Sequence, residues 1–76
     1  MRRYSSAQTV AALKRLGFEK QRQKGSHATY ARRREDGTVD GVCVVPMAKA
    51  EIPDGTLKQI LAMAHVTESE FLASVR

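Results

Sequence analysis

The chain has 76 residues, one cysteine, and 13 Lys+Arg against 8 Asp+Glu, for a formal net charge of +5. That length allows one domain, taken as residues 1–76, which buries only about 60% of its unfolded surface; any chemistry should therefore sit on an open face or in a shallow groove. A lone Cys43 excludes an intramolecular disulfide, and the absence of a ~20-residue apolar stretch or an apolar leader in "MRRYSSAQ" points to a soluble, cytoplasmic protein with no membrane contact.

The positive charge suits a polyanionic partner, and its placement is local. Between positions 14 and 34 stand Lys14, Arg15, Lys20, Arg22, Lys24, Arg32, Arg33 and Arg34, opposed by Glu19 alone, while the acidic residues gather mainly from Glu35 onward. The first element is "SSAQTVAALKRLGF". Ser5 with Gln8 three residues later has the form of a capping box, and Thr9, Val10, Leu13 and Leu16 fall on one side of a helix. Gly17 can take the left-handed conformation that ends it.

"FEKQRQKGSHATYARRR" reads as a hairpin turning at Lys24-Gly25, with arms too polar to be buried on both faces. Glu35-Asp36-Gly37 is the next turn, and "TVDGVCVVP" is a β-branched third strand ended by Pro46, with Cys43 as a small strand or core residue. "MAKAEIPDG" is a loop. In "TLKQILAMAH", Leu57, Ile60, Leu61 and Ala64 form an amphipathic helix, started by a Thr56/Gln59 box or by an Asp54 cap. Thr67 with Glu70 boxes the last short helix, and Val66 with Phe71 occupies the staple positions. The expected fold is α+β: helix, three antiparallel strands with helices on one face, helix, short C-terminal helix.

His27 is the candidate for catalysis. An imidazole titrates near neutral pH, and RNA is a substrate on which that ability suffices, because a 2′-hydroxyl relieved of its proton can attack the adjacent phosphate without a metal. Gly25 permits close approach of a backbone and Ser26 offers a hydroxyl and an N–H, while Lys24, Arg22 and the Arg32-Arg33-Arg34 run supply cations for phosphates, unless that run is only a solvated strand end. The alternative is a solvated histidine beside a turn. Tyr30 is a stacking platform for a base or, by strand alternation, a core residue sharing a face with Arg32 and Arg34. Lys58 extends the basic surface or serves solubility, and His65 reads as a helix C-terminal cap or surface residue, or as the partner of His27 in an acid–base pair should the helix end approach the hairpin tip. No zinc-type Cys/His spacing, paired carboxylates, phosphate-binding Gly-rich loop or Ser/His/Asp pattern is present, so no cofactor is expected.

"LKRLGFEKQRQKGSHATY", then a strand ending in "VVP", then "IPDGTLKQILAMAHVTESEF" together resemble the HicA family of bacterial toxins, from about Ser5 to Leu72. The resemblance implies a double-stranded-RNA-binding-like α-β-β-β-α fold and a ribonuclease that cleaves mRNA and arrests translation. It further implies a HicB-like antitoxin that covers the active surface, with any DNA contact made through that complex. The catalytic histidine of the family's Gly-Ser-His motif corresponds to His27, preceded by Gly25 and Ser26. Many relatives carry a second histidine just after the strand-ending proline, where this chain has Met47. A non-catalytic RNA-binding module on the same fold is the competing expectation.

Overall fold

In a computed structural model, residues 2–75 are described, so Met1 and Arg76, the two ends of the 1–76 domain assignment, lie outside the described residues. The chain runs α1 (Ser6–Arg15), β1 (Glu19–Lys24), β2 (His27–Arg33), β3 (Val39–Pro46), α2 (Asp54–Ala64) and α3 (Glu68–Ser74). The strands form one antiparallel sheet in the order β1-β2-β3. This is the expected α+β, double-stranded-RNA-binding-like layout, with α3 as the short closing helix.

Local chemistry explains the helix limits. At the start of α1 the Ser5 hydroxyl accepts from the Gln8 N–H at 3.0 Å while the Ser5 N–H donates to the Gln8 side chain at 2.9 Å, so two otherwise orphaned donors are satisfied. At its end Gly17, at φ 97°, lets the Phe18 N–H reach the Leu13 carbonyl and the Gly17 N–H reach that of Lys14, the paired bonds of a Schellman close. α3 repeats the capping box with Thr67 and Glu70. α2 differs from expectation. It begins at Asp54 with Pro53 as N-cap and no side-chain cap bond; neither the Thr56/Gln59 box nor an Asp54 cap forms, because the helix starts two residues earlier than Thr56. His65 stands at the expected cap position of α2, in the left-handed conformation, but it caps through its backbone N–H, which donates to the Ala62 and Leu61 carbonyls, while its ring lies beside Asp40.

The hairpin turn is also displaced by one residue. Lys24 pairs with His27, so the two turn residues are Gly25 and Ser26 rather than Lys24 and Gly25. Gly25 has φ 59° and Ser26 does not share the positive φ, the pattern of a II′ turn with glycine first.

Alternation divides the sheet. Ala28 opposite Val45 and Tyr30 opposite Cys43 face the helices, while His27 opposite Pro46, Thr29 opposite Val44 and Ala31 opposite Val42 face away from them. The core beneath the first face contains Leu13, Phe18, Tyr30, Ile52, Leu57 and Phe71, all essentially enclosed. Each such side chain stabilises the fold by roughly 1.5–3 kcal/mol through burial. Tyr4, unassigned from sequence, joins this core edge-on to Phe71 at 5.3 Å and bridges to Ile52. The loop after β3 is pinned rather than free. Ser6 donates its Oγ proton to the Pro46 carbonyl at 2.6 Å, accepts from the Lys49 N–H at 2.9 Å, and donates its own N–H to the Lys49 carbonyl.

Two bulges shape the strands. Asp40 and Gly41 break the β2–β3 register, and Gly41, at φ 97°, lies so close to the end of α2 that a Cβ there would overlap the Ala64 carbonyl oxygen. In β1 the register steps at Gln21, so Lys20 pairs with Tyr30 and Arg22 with Thr29.

Candidate active site

The face of the sheet turned away from the helices is open, and its residues are set by the II′ turn. Because Lys24 pairs with His27 and Arg22 with Thr29, both cations come to the same face as the imidazole. Arg22, Lys24, His27, Thr29 and Val44 line a shallow depression of about 300 Å³. Thr29 shares the His27 face as alternation predicts; Val44 enters only through the β2–β3 pairing, which no local signal in the sequence encodes.

His27 is exposed, and the Ser26 Oγ lies 3.4 Å from its Nδ1. That leaves Nε2 as the ring nitrogen to meet a substrate. The turn is held from the other side by the Met47 N–H, which donates to the Ser26 carbonyl at 2.6 Å. Ser6 fixes Pro46, and Pro46 pairs with His27, so the start of α1 indirectly determines where the imidazole stands.

The remaining predicted site residues are elsewhere. Tyr30 is only 2% exposed and its ring offers no face for a base; burial raises its phenol pKa, with a smaller contribution from Cys43. Of the two readings of Tyr30, the core residue is the one the fold contains. Arg32 stacks its guanidinium on the Phe18 ring at 4.8 Å, donates to the Leu16 carbonyl at 3.2 Å and pairs with Asp40 at 3.5 Å, so it secures the end of α1. Arg34 pairs with the same Asp40 at 3.6 Å, and His65 approaches it at 3.8 Å. Lys58 pairs with Asp54 along α2 at 3.2 Å. None of these four predicted RNA contacts, Tyr30, Arg32, Arg34 and Lys58, lines the depression. Arg33 does lie on the open face, but beyond Ala31, toward the far end of β2.

A joint His27/His65 site is excluded by placement. His65 stands beside Asp40 and His27 beside Pro46, six positions apart on β3 and so roughly 20 Å distant at ~3.3 Å per residue.

Comparison with known proteins then gives the family. A family model for the HicA toxin of bacterial toxin–antitoxin systems matches residues 6–66. The chain belongs to the HicA toxin family. No curated protein matches it significantly. As a HicA protein it is the toxin of a toxin–antitoxin system, and membership implies an antitoxin partner. The match covers α1, the whole sheet and α2, and therefore every residue of the depression. Among the described residues no helix is long and apolar enough to cross a membrane. In this HicA chain Met47, at the place where the resemblance expects a second imidazole, is partly buried and packs against the core. His27 is accordingly the one imidazole at the depression among the described residues.

Proposed function

We propose that this HicA toxin is an endoribonuclease that cleaves mRNA and arrests translation, with His27 as the proton-transfer group and no requirement for a metal ion. The observation that carries the reading is the depression in which Arg22 and Lys24 flank the exposed His27. Neutral His27 accepts the 2′-hydroxyl proton as the 2′-oxygen bonds to phosphorus and the bond to the 5′-oxygen breaks. The departing oxygen takes a proton from the imidazolium so formed or from water. Arg22 and Lys24 offset the negative charge that accumulates on the phosphoryl oxygens, and Gly25 and Ser26 offer their backbone to it. The products are a 2′,3′-cyclic phosphate and a 5′-hydroxyl. A HicB-like antitoxin neutralises the toxin by covering this face.

Met47 favours a second reading, a non-catalytic RNA-binding module, because His27 has no second imidazole beside it. The chemistry of the ends decides between them. Wild-type protein incubated with RNA in excess chelator should yield 2′,3′-cyclic phosphate ends. His27→Ala, folded by circular dichroism, should cleave on the order of 10²–10⁴-fold more slowly. RNA left intact by the wild type, or cleaved equally by the variant, removes His27 from the chemistry.

A further inference from the structure

A second depression lies on the same open face, about 100 Å³ in volume and lined by Gly17, Glu19, Gln21, Ala31 and Arg33. Ala31, only 6% exposed, lies among residues whose side chains carry a carboxylate, a carboxamide and a guanidinium. The bulge at Gln21 creates this composition. With unbroken pairing from the turn, Lys20 would stand opposite Ala31 on the open face; the extra residue puts Glu19 there and turns Lys20 to pair with Tyr30. A lysine would have extended the phosphate-binding surface. A carboxylate repels phosphate, so the depression is built for something other than the RNA backbone.

The three side chains are available. Among the described residues Glu19 and Arg33 do not close an ion pair, and the Glu19 carboxylate has no partner. Arg33 commits one Nη1 bond to the Gly37 carbonyl at 3.2 Å and Gln21 one Nε2 bond to the Glu19 carbonyl at 3.2 Å, leaving four of the five guanidinium N–H groups and the carboxamide oxygen. Single-stranded RNA is read at the Watson–Crick edges of its bases. Guanine is the base whose edge presents two adjacent N–H donors, to which one carboxylate can be bidentate, beside an acceptor oxygen for a guanidinium.

We propose that Glu19, Gln21 and Arg33 form a guanine-binding subsite that sets where the RNA is cut, Glu19 accepting from N1–H and N2–H and Arg33 donating to O6. This rests on the reading of the His27 depression as the cleavage site and deepens it. His27 and Ala31 share a face four residues apart on β2, roughly 13 Å. A strand laid along β2 therefore places its guanine at one fixed offset from the bond at His27.

The test uses binding and cleavage side by side. Hexauridylate and hexamers with one guanosine moved through each position are titrated against the His27→Ala protein by fluorescence anisotropy. Guanosine at one position should tighten binding at least ten-fold over uridine there, while adenosine and cytidine should not. Glu19→Gln and Arg33→Gln, both exposed sites whose folding is checked by thermal melting, should each lose that preference, and Glu19→Gln should do so with hexauridylate affinity undiminished, since the carboxylate makes no phosphate contact. Affinity indifferent to base and position, or a guanosine preference that survives Glu19→Gln, overturns the subsite. Cleavage of the same hexamers by the wild type separates the two ideas. Cleavage together with base-indifferent binding rejects the subsite alone; guanosine-dependent binding without cleavage rejects the ribonuclease reading alone and retains the subsite; neither binding nor cleavage rejects both.

Discussion

Position 47 decides how isolated His27 is. The Met47 N–H is tied to the Ser26 carbonyl and its side chain leans on the core, so replacing it with histidine exchanges apolar contact for a polar ring. Met47→His should lower stability by about 1 kcal/mol without accelerating cleavage, as read by thermal melting and an initial-rate assay together. A faster Met47→His enzyme would show that a ring at this position can swing to the scissile phosphate. Cys43 provides a different residue-scale test. Burial pushes its thiol from 9.0 up to about 11, so the folded protein should resist thiol reagents at neutral pH and react only on unfolding. The sign for stability follows from the raised folded value. The folded state holds its proton more tightly, so this contribution is complete below pH 9 and is lost as pH rises toward 11. Equilibrium denaturation of wild type against Cys43→Ala across that range should show a steeper alkaline loss for the wild type.

At the scale of elements, the devices that end helices are the most exposed to single changes. Ser5→Ala removes one half of a complete capping box and should cost about 1 kcal/mol in chemical denaturation. Gly41→Ala should cost more, about 2–5 kcal/mol, because a positive φ and an overlap with the Ala64 carbonyl are combined at a place where strand and helix backbones meet. A melting temperature for Gly41→Ala within a degree or two of the wild type would mean that β3 and α2 can separate without consequence. The same elements show what a sequence can disclose. Both capping boxes and the apolar faces of the first two helices depend on residues close in the chain, and they were legible. The Gly25–Ser26 turn and the Gln21 bulge depend on which residues of two neighbouring strands pair, and the anchoring of Pro46 by Ser6 joins segments 40 residues apart. A one-residue step there exchanges the faces of a strand. That is why His27, Arg22 and Lys24 could be named from their types, while Val44, Glu19 and Gln21 became visible only once the register was known.

The molecule as a whole is one core layer with an uncovered sheet face. A small chain has too little apolar surface to cover both faces, and the open face is where the His27 depression lies. Its 13 lysines and arginines overstate the cations free to meet RNA. Arg3 is paired with Glu51, Arg32 and Arg34 with Asp40, and Lys58 with Asp54, while Arg15 donates to the Ser74 carbonyl at the end of α3. The exposed pairs among these, unlike the half-buried Arg32–Asp40, contribute little to stability, yet all of them lower the charge that an approaching backbone meets. If phosphates are held only at the His27 depression, by Arg22 and Lys24, the affinity for single-stranded RNA should fall with salt at a logarithmic slope near −1.4, about −0.7 per neutralised phosphate. Arg22→Gln and Lys24→Gln should each make the slope shallower by about 0.7, and Arg34→Gln should leave it unchanged. A wild-type slope near −4 would mean that the strand leaves the sheet face and draws on the helices as well. Anisotropy titrations of the His27→Ala protein between low and physiological salt measure this slope directly, and their outcome fixes whether the open face alone or the entire basic surface is the RNA-binding unit.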